Sequence, residues 1–252
     1  RYLKIQFTNL SPYHQFKFED IYCQTVTSAD HLLPKPQNIS KEWQEIDQVS
    51  IRTLANCMHT VFEDGPKRDR RLWVGDLRLQ AQANYETFKN NLLVKRCLYL
   101  FAGLANDEGK VMSDLYERPT ARRGNTYLMD YGALLPVILY DYFKATGDRQ
   151  TATDLWQGAL RQFDFITCFV NDSGLFEGPE KIRIFIDWCV PLHRQASMHA
   201  VLIYSIRRII ALAKEIGEEK SVVTFIDLAA KMQISAKQNF WDSSKQSWVS
   251  GK

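Results

Sequence analysis

The side chains best suited to chemistry fall in one short segment, residues 64–76, which separates two long helical patterns. The segment holds three carboxylates, Asp64, Asp69 and Asp76, together with three arginines and Trp73. Cleavage of a glycosidic bond requires one carboxyl group that holds a proton and a neighbouring carboxylate that stays ionised. An indole ring beside them supplies an apolar wall for one face of a sugar. The segment therefore predicts a sugar-cleaving site.

A second interpretation of the segment is a solvated charged turn. In that case the charges face water, and Asp76 only caps the helix that follows. Asp69 is flanked by Arg68 and Arg70, which lower the pKa of a carboxyl group, whereas the nearby anions raise it. The spacing of the residues leaves both interpretations open.

Composition argues against several other classes of function. The net charge is +3 over 252 residues, and no basic stripe carries interleaved aromatic residues, so we expect no nucleic-acid partner. The richest apolar runs, residues 133–143 and 201–213, are too short to span a bilayer, so we expect no membrane partner. The five histidines form no HExxH pattern or i, i+4 pair. We therefore expect neither a metal nor another cofactor.

Two zones of different pattern surround the segment. Residues 1–28 contain short aromatic and β-branched runs with partial alternation, which predict the last strands of a β-domain. Residues 29–40 are rich in proline and predict a linker, and Ser40 is suited to cap the following helix. Beyond this point the apolar spacing is helical. The six predicted helices run through residues 43–61, 77–104, 127–145, 151–169, 196–216 and 222–240.

Long loops separate some of the predicted helices, at residues 105–126 and 174–194. A ring or stack of helix hairpins with a functional rim fits this pattern, and an α-solenoid scaffold fits the helices equally well. Glu117 and Glu177 lie in the loops and are candidate second carboxylates. Ordinary exposed acids are the commoner case for such residues.

Residues 64–76 (DGPKRDRRLWVGD) resemble the catalytic signature of glycoside hydrolase family 78, the bacterial α-L-rhamnosidases. Residues 130–148 are similar to the third helix of the family's catalytic domain. Residues 185–188 (FIDW) are similar to its sugar-binding loop, and residues 240–242 (FWD) to a later helix end. The resemblance covers essentially the whole chain beyond the linker.

The resemblance implies a fold and an activity. Family members carry an (α/α)6 toroid of helix hairpins after β-sandwich domains, so a mainly α chain is expected. On this basis residues 1–28 are the C-terminal strands of a β-sandwich, residues 29–40 a linker, and residues 41–252 the N-terminal part of the catalytic toroid. The implied activity is release of terminal α-L-rhamnose from glycosides or polysaccharides by an inverting hydrolase. The implied partner is a rhamnose-containing carbohydrate.

The resemblance also implies roles for individual residues. Asp69 stands at the general-acid position, and Asp76 is a further essential carboxylate. Asp64 and Arg68 would bind sugar hydroxyls. The expected site comprises the catalytic residues Asp69, Asp64 and Asp76 and the substrate-binding residues Arg68, Trp73, Asp187 and Trp188.

The chain departs from the family pattern in three ways. The acid is usually Glu, and Asp69 is shorter by one methylene. Gly65 stands where the family has Cys, and Leu72 where it has Gly. No segment matches the Glu that serves as general base in the C-terminal half of the toroid. Since six predicted helices are half of the twelve in six hairpins, we expect a partial toroid that is inactive or nearly so by itself.

Two alternatives to a rhamnosidase stay open at this point. One is another six-hairpin carbohydrate enzyme that acts on a different sugar, such as a uronyl hydrolase. The other is a helical carbohydrate-binding or scaffold protein without catalytic activity.

Overall fold

Helices dominate the part of the chain that the computed structural model describes, which is residues 4–9, 11–22, 24–30, 39–179, 183–186 and 193–250. The α-helices in these ranges are α1 Lys41–Cys57, α2 Val74–Glu86, α3 Asn91–Gly103, α4 Met129–Thr146, α5 Arg149–Thr167, α6 Gln195–Ile216 and α7 Val223–Phe240. A short 3-10 helix, Glu219–Val222, precedes α7. The prediction of a mainly α fold is confirmed.

Local sequence fixes several helix ends. The Ser40 hydroxyl accepts a hydrogen bond from the Trp43 N–H and caps α1, as predicted. The Asp148 carboxylate accepts one from the Thr151 N–H and caps α5. α4 ends at Gly147 and α6 at Gly217, with φ of 69° and 86°, in the left-handed conformation that glycine adopts without a steric penalty.

The prediction of a single helix over residues 77–104 is wrong, because two helices, α2 and α3, occupy this range. Lys89 has a φ of 52°, which interrupts the helical path. The buried Asn84 side chain accepts a hydrogen bond from the Asn90 N–H at 3.0 Å, and Asn90 in turn caps α3. Apolar periodicity runs through both helices, so it does not reveal a break that is made by asparagine side chains.

The helices pack as successive hairpins around α4. α4 lies against α2, α5 and α6, and α7 packs against α6. The alternate helices α2, α4 and α6 are therefore neighbours, and the amino ends of α2 and α4 lie at the same rim. The core between the layers contains large side chains such as Trp156, Phe163 and Ile138, all with 2% exposure or less.

A small sheet lies in what was expected to be an irregular loop. β1 (Leu72–Trp73), β2 (Asp114–Tyr116) and β3 (Arg122–Arg123) form an antiparallel sheet in that order. Trp73 pairs with Asp114 across β1 and β2. The sheet therefore joins the acidic segment to the loop before α4. A second pair, β4 (Trp241–Asp242) and β5 (Ser247–Trp248), follows α7.

The N-terminal zone forms no strand within its described residues, 4–9, 11–22 and 24–30. A strand requires a hydrogen-bonded neighbour, and an isolated pair is not stable. The ring of Phe7 instead stacks on that of Phe16, with centroids 5.0 Å apart. The assignment of residues 1–28 to a β-sandwich and of residues 29–40 to a linker stays a prediction.

Helix α6 is 22 residues long and, within the described part of the chain, is the one helix whose length and composition would allow it to cross a membrane. The apolar run at residues 201–213 is shorter than the helix that contains it, because α6 runs from Gln195 to Ile216. α6 packs between α4 and α7, and residues such as Leu202, Ile206 and Ile209 are fully buried there. This is the environment of a core helix.

Candidate active site

The acidic segment folds into a tight turn closed by backbone hydrogen bonds. The Asp64 N–H donates to the Arg71 carbonyl at 2.8 Å. Gly65 and Arg70 have positive φ angles, 56° and 51°. A Cβ on Gly65 would lie 2.8 Å from Nε of Arg68, so glycine lets the guanidinium fold back over the turn. Nη2 of Arg68 thereby donates to the Asp64 carboxylate at 2.8 Å.

Asp64 and Asp76 form the acidic centre of the site. Burial raises the pKa of Asp76, and the negative charge of Asp64 raises it further. Hydrogen bonds from the Asp76 backbone N–H and the Tyr131 hydroxyl act against this rise, and the Tyr131 Oη lies 3.5 Å from Oδ2. Burial likewise raises the pKa of Tyr131, so the phenol remains a donor. The site thus contains a carboxyl group that retains its proton to a higher pH than an ordinary aspartate.

Aromatic rings form one wall beside these carboxylates. Tyr131 meets Trp73 edge-on, with centroids 6.2 Å apart, and meets Phe185 in the same way at 6.0 Å. A Cβ on Gly75 would lie 2.5 Å from the Tyr131 ring, so this close approach needs glycine. The predicted wall residue Trp73 is therefore one of three rings, and Tyr131 is the central one.

Asp69 is connected to the acidic centre through Arg68. Nη1 of Arg68 lies 3.9 Å from the Asp69 carboxylate, and Nε of Arg71 lies 3.8 Å from it. The side chain of Asp69 is 22% exposed and that of Asp64 is 29% exposed. The interpretation of the segment as a solvated charged turn therefore fits its exposed basic side chains, Lys67, Arg68 and Arg70, but not these half-buried carboxylates.

The structure adds Asp114 to the site, which sequence reasoning missed. Asp114 lies on β2 opposite Trp73, and its carboxylate is 3.2 Å from Nη1 of Arg71. Burial raises the pKa of Asp114, and the Arg71 charge counteracts this effect. The alternation in Asp114-Leu115-Tyr116 was the available signal, but a three-residue strand is too short for periodicity to identify.

Asp130 holds the segment at residues 183–186. The Phe185 and Ile186 N–H groups donate to its two carboxylate oxygens at 3.0 and 3.1 Å, and Asp130 is 4% exposed. The predicted sugar-binding residues Asp187 and Trp188 come next in the sequence and lie outside the described residues. Asp130 is a second residue that sequence reasoning did not assign to the site.

The two candidate second carboxylates have different environments. Glu117 is hydrogen-bonded to the Thr60 hydroxyl and to Arg96. Burial raises its pKa, but these hydrogen bonds together with the charges of Arg96 and Arg118 lower it below the ordinary value, so Glu117 is a paired, half-buried anion and not the exposed acid that was expected. Glu177 is exposed, as expected.

The residues that the structure describes contain no group of three or more His, Cys, Asp or Glu side chains close enough to hold a metal ion.

Residues 40–251 match the family model of the bacterial alpha-L-rhamnosidase 6 hairpin glycosidase domain. No curated protein sequence matches the chain. Among solved structures, a rhamnosidase from Klebsiella oxytoca with rhamnose bound is 39% identical over 89% of this chain, with a TM-score of 0.85. The chain spans 44% of the length of that protein.

Two further structures resemble the chain in fold. A family GH78 rhamnosidase of Bacillus sp. GL1 is 23% identical, with a TM-score of 0.68 over 79% of this chain and 21% of its own. An unsaturated glucuronyl hydrolase from the same organism is 16% identical, with a TM-score of 0.53 over 82% of this chain and 62% of its own. At these identities the likeness establishes the hairpin toroid fold.

Proposed function

Because the chain belongs to the bacterial α-L-rhamnosidase six-hairpin glycosidase family, we propose that it binds a terminal α-L-rhamnose and protonates the leaving glycosidic oxygen. The observation that carries this proposal is the acidic turn within the family match, where half-buried carboxylates lie beside an aromatic wall. The proposed substrate is a rhamnose-containing carbohydrate, as supported by the rhamnose bound in the Klebsiella oxytoca relative.

Each residue of the turn has a role in this proposal. Arg68 and Asp64, which are hydrogen-bonded to each other, bind sugar hydroxyls. Trp73 contacts an apolar face of the sugar. Asp69 is the general acid, and Asp76 is a further carboxylate whose charge depends on Asp64. From the family resemblance, Asp187 and Trp188 complete the rhamnose pocket.

Asp76 is the competing candidate for the general acid. A general acid must keep its proton near the working pH, and burial together with Asp64 raises the pKa of Asp76. The family resemblance favours Asp69, which occupies the acid position of the signature. A leaving-group experiment separates the two carboxylates.

The general base is proposed to come from outside the 252 residues of this sequence. Inversion requires a second carboxylate about 6.5–9.5 Å from the acid, with a water molecule between them. The paired anion Glu117 is engaged by Arg96. The chain spans 44% of the length of the Klebsiella oxytoca rhamnosidase, which leaves room for a base in the remaining hairpins. We refer to the protein that contains all six hairpins as the complete-toroid protein.

The test of the acid is Asp69→Asn in the complete-toroid protein, assayed with aryl α-L-rhamnosides of graded leaving-group pKa. Loss of a general acid lowers the rate by about 10²–10⁴-fold for a poor leaving group. The loss is much smaller for a dinitrophenolate, which needs no proton. Asp76→Asn is the matched comparison. A leaving-group dependence in Asp76→Asn alone would transfer the acid role to Asp76 and contradict our assignment.

A further inference from the structure

Asp114 is a buried carboxylate to which the proposed function assigns no role. It is 1% exposed, and it lies on β2 opposite Trp73. Gly124, the residue after β3, encloses it, because its N–H donates to the Asp114 carbonyl at 2.8 Å and a Cβ on Gly124 would overlap the carboxylate. A buried charge of this kind is retained in a fold when it has a partner.

The partner is Arg71, whose guanidinium lies between two carboxylates. Its Nη1 is 3.2 Å from Oδ2 of Asp114, and its Nε is 3.8 Å from Oδ2 of Asp69. The guanidinium also stacks on Tyr116, with Cζ 4.6 Å from the ring centroid. These contacts fix the orientation of the Arg71 side chain, so its charge is shared between the two aspartates in a constant geometry.

We propose that Asp114 is a positioning residue, which holds Arg71 in place and offsets the part of its positive charge that would otherwise act on Asp69. An arginine beside an aspartate favours the ionised carboxylate, which is the wrong form for a general acid. The Asp114 charge acts in the opposite direction on both groups. The inference rests on the proposed function for its catalytic meaning, but the electrostatic link between Asp114 and Asp69 is measurable without catalysis.

The charged groups that the structure places around Asp69 come from two elements. Arg68 and Arg71 belong to its own turn, at 3.9 and 3.8 Å, and both stabilise the ionised form. Arg68 is itself paired with Asp64 at 2.8 Å, and Arg71 is paired with Asp114 on β2, whose pKa the Asp69 charge in turn raises. Removal of the Asp114 charge therefore leaves Arg71 facing Asp69 without its own counter-ion.

The test is a ¹³C NMR titration of the Asp69 side-chain carboxyl in this 252-residue chain, assigned by its absence in Asp69→Asn. In Asp114→Asn we expect the Asp69 titration midpoint to fall, because the Arg71 charge is then no longer opposed by a carboxylate. In Arg71→Gln we expect the midpoint to rise. Asp107→Asn, at an exposed aspartate before β2, is the matched control and should leave the midpoint unchanged.

An unchanged or raised midpoint in Asp114→Asn would overturn the proposal. If that variant does not fold, the double variant Arg71→Gln/Asp114→Asn removes the buried pair together, which folds tolerate better than removal of one partner. Because a buried Asp114 without Arg71 takes up a proton, the Asp69 midpoint in the double variant should match that in Arg71→Gln, and a difference between the two would contradict an action of Asp114 through Arg71. The proposed function is tested separately, because failure to cleave any rhamnoside would leave these titrations unaffected.

Discussion

Arg68 is the residue that connects the carboxylates of the site. Its guanidinium donates to Asp64 at 2.8 Å and lies 3.9 Å from Asp69. This position depends on Gly65, whose left-handed backbone and missing side chain leave space for it. The glycine that departs from the family pattern thus has a local structural reason in this chain.

Gly75 sets the position of the Tyr131 ring, which lies directly against it. We expect Gly75→Ala in the complete-toroid protein to push the Tyr131 ring away from Trp73 and Asp76, since a Cβ would lie 2.5 Å from the ring. Rhamnose affinity, measured by calorimetric titration, should fall about tenfold.

The control is Gly158→Ala on α5, where a Cβ meets no atom within 4 Å. There, affinity should be unchanged and stability should rise by about 0.5–1 kcal/mol. Equal affinities in all three proteins would contradict the role of Tyr131.

The sequence predicted the residues of the acidic turn but not their partners. Asp64, Asp69 and Asp76 are close together in the chain, so a short motif was sufficient to identify them. Tyr131 and Asp114 reach the turn through tertiary packing and a three-residue strand, and neither has a local pattern that marks it as part of the site.

At the scale of elements, the site lies where the amino ends of α2 and α4 meet. Asp76 is in the first turn of α2, and Asp130 is in the first turn of α4. The positive end of a helix dipole stabilises such carboxylates. Asp130 uses this position to accept two backbone hydrogen bonds from the loop at residues 183–186.

We expect Asp130→Asn in the complete-toroid protein to loosen this loop. An amide can accept from one of the two N–H groups but presents an NH₂ to the other, and an unsatisfied buried donor costs about 1–3 kcal/mol. Thermal unfolding should show this loss, and rhamnose affinity should fall because the predicted residues Asp187 and Trp188 follow directly. Asp164→Asn, at an exposed aspartate on α5, is the control. A variant that is as stable as the wild type and binds rhamnose equally well would rule out this function of Asp130.

A buried histidine joins α6 to α7 and gives the fold a pH dependence. The Phe176 N–H donates to Nδ1 of His199 at 3.3 Å, and Nε2 bonds to the Met232 carbonyl at 2.8 Å, which fits a neutral ring. Burial lowers the pKa of His199. The unfolded chain, with a histidine pKa of about 6.5, then binds the proton first. This contribution to stability is complete above that pH and is lost as the pH falls below it.

Urea unfolding between about pH 8 and pH 5 tests this dependence, because this range brackets the pKa of a histidine in the unfolded chain. We expect the free energy of unfolding to decrease toward acid pH, and the decrease to be smaller in His199→Gln. His193→Gln, at an exposed histidine, should behave as the wild type. If the free energy of unfolding decreases as steeply in His199→Gln as in His193→Gln, the proposed role of His199 is contradicted.

Element types were predictable from sequence, but their boundaries were less so. Strong apolar periodicity identified α4, α5, α6 and α7 to within a few residues. The division between α2 and α3 depends on the side chain of Asn84, and β1 depends on pairing with β2, a segment about forty residues further along the chain. Periodicity carries no information on either interaction.

At the scale of the whole molecule, the chain is a set of helix hairpins whose alternate helices α2, α4 and α6 are adjacent. The family model matches residues 40–251, and solved relatives with different sugars in their names share this fold. The fold therefore does not select the substrate, and the rim loops must do so. The acidic turn and its aromatic wall are the part of the molecule on which the proposed specificity depends.

The most direct test of the central claim is hydrolysis of a panel of aryl glycosides by the complete-toroid protein, with this 252-residue chain alone as the comparison. The account predicts selective cleavage of the α-L-rhamnoside by the complete-toroid protein and no measurable cleavage by the chain alone, because the proposed general base is missing from it. Selective cleavage of an unsaturated uronide would contradict the proposed activity, and so would a failure to cleave any glycoside of the panel. Hydrolysis of the rhamnoside by the chain alone would contradict the placement of the base.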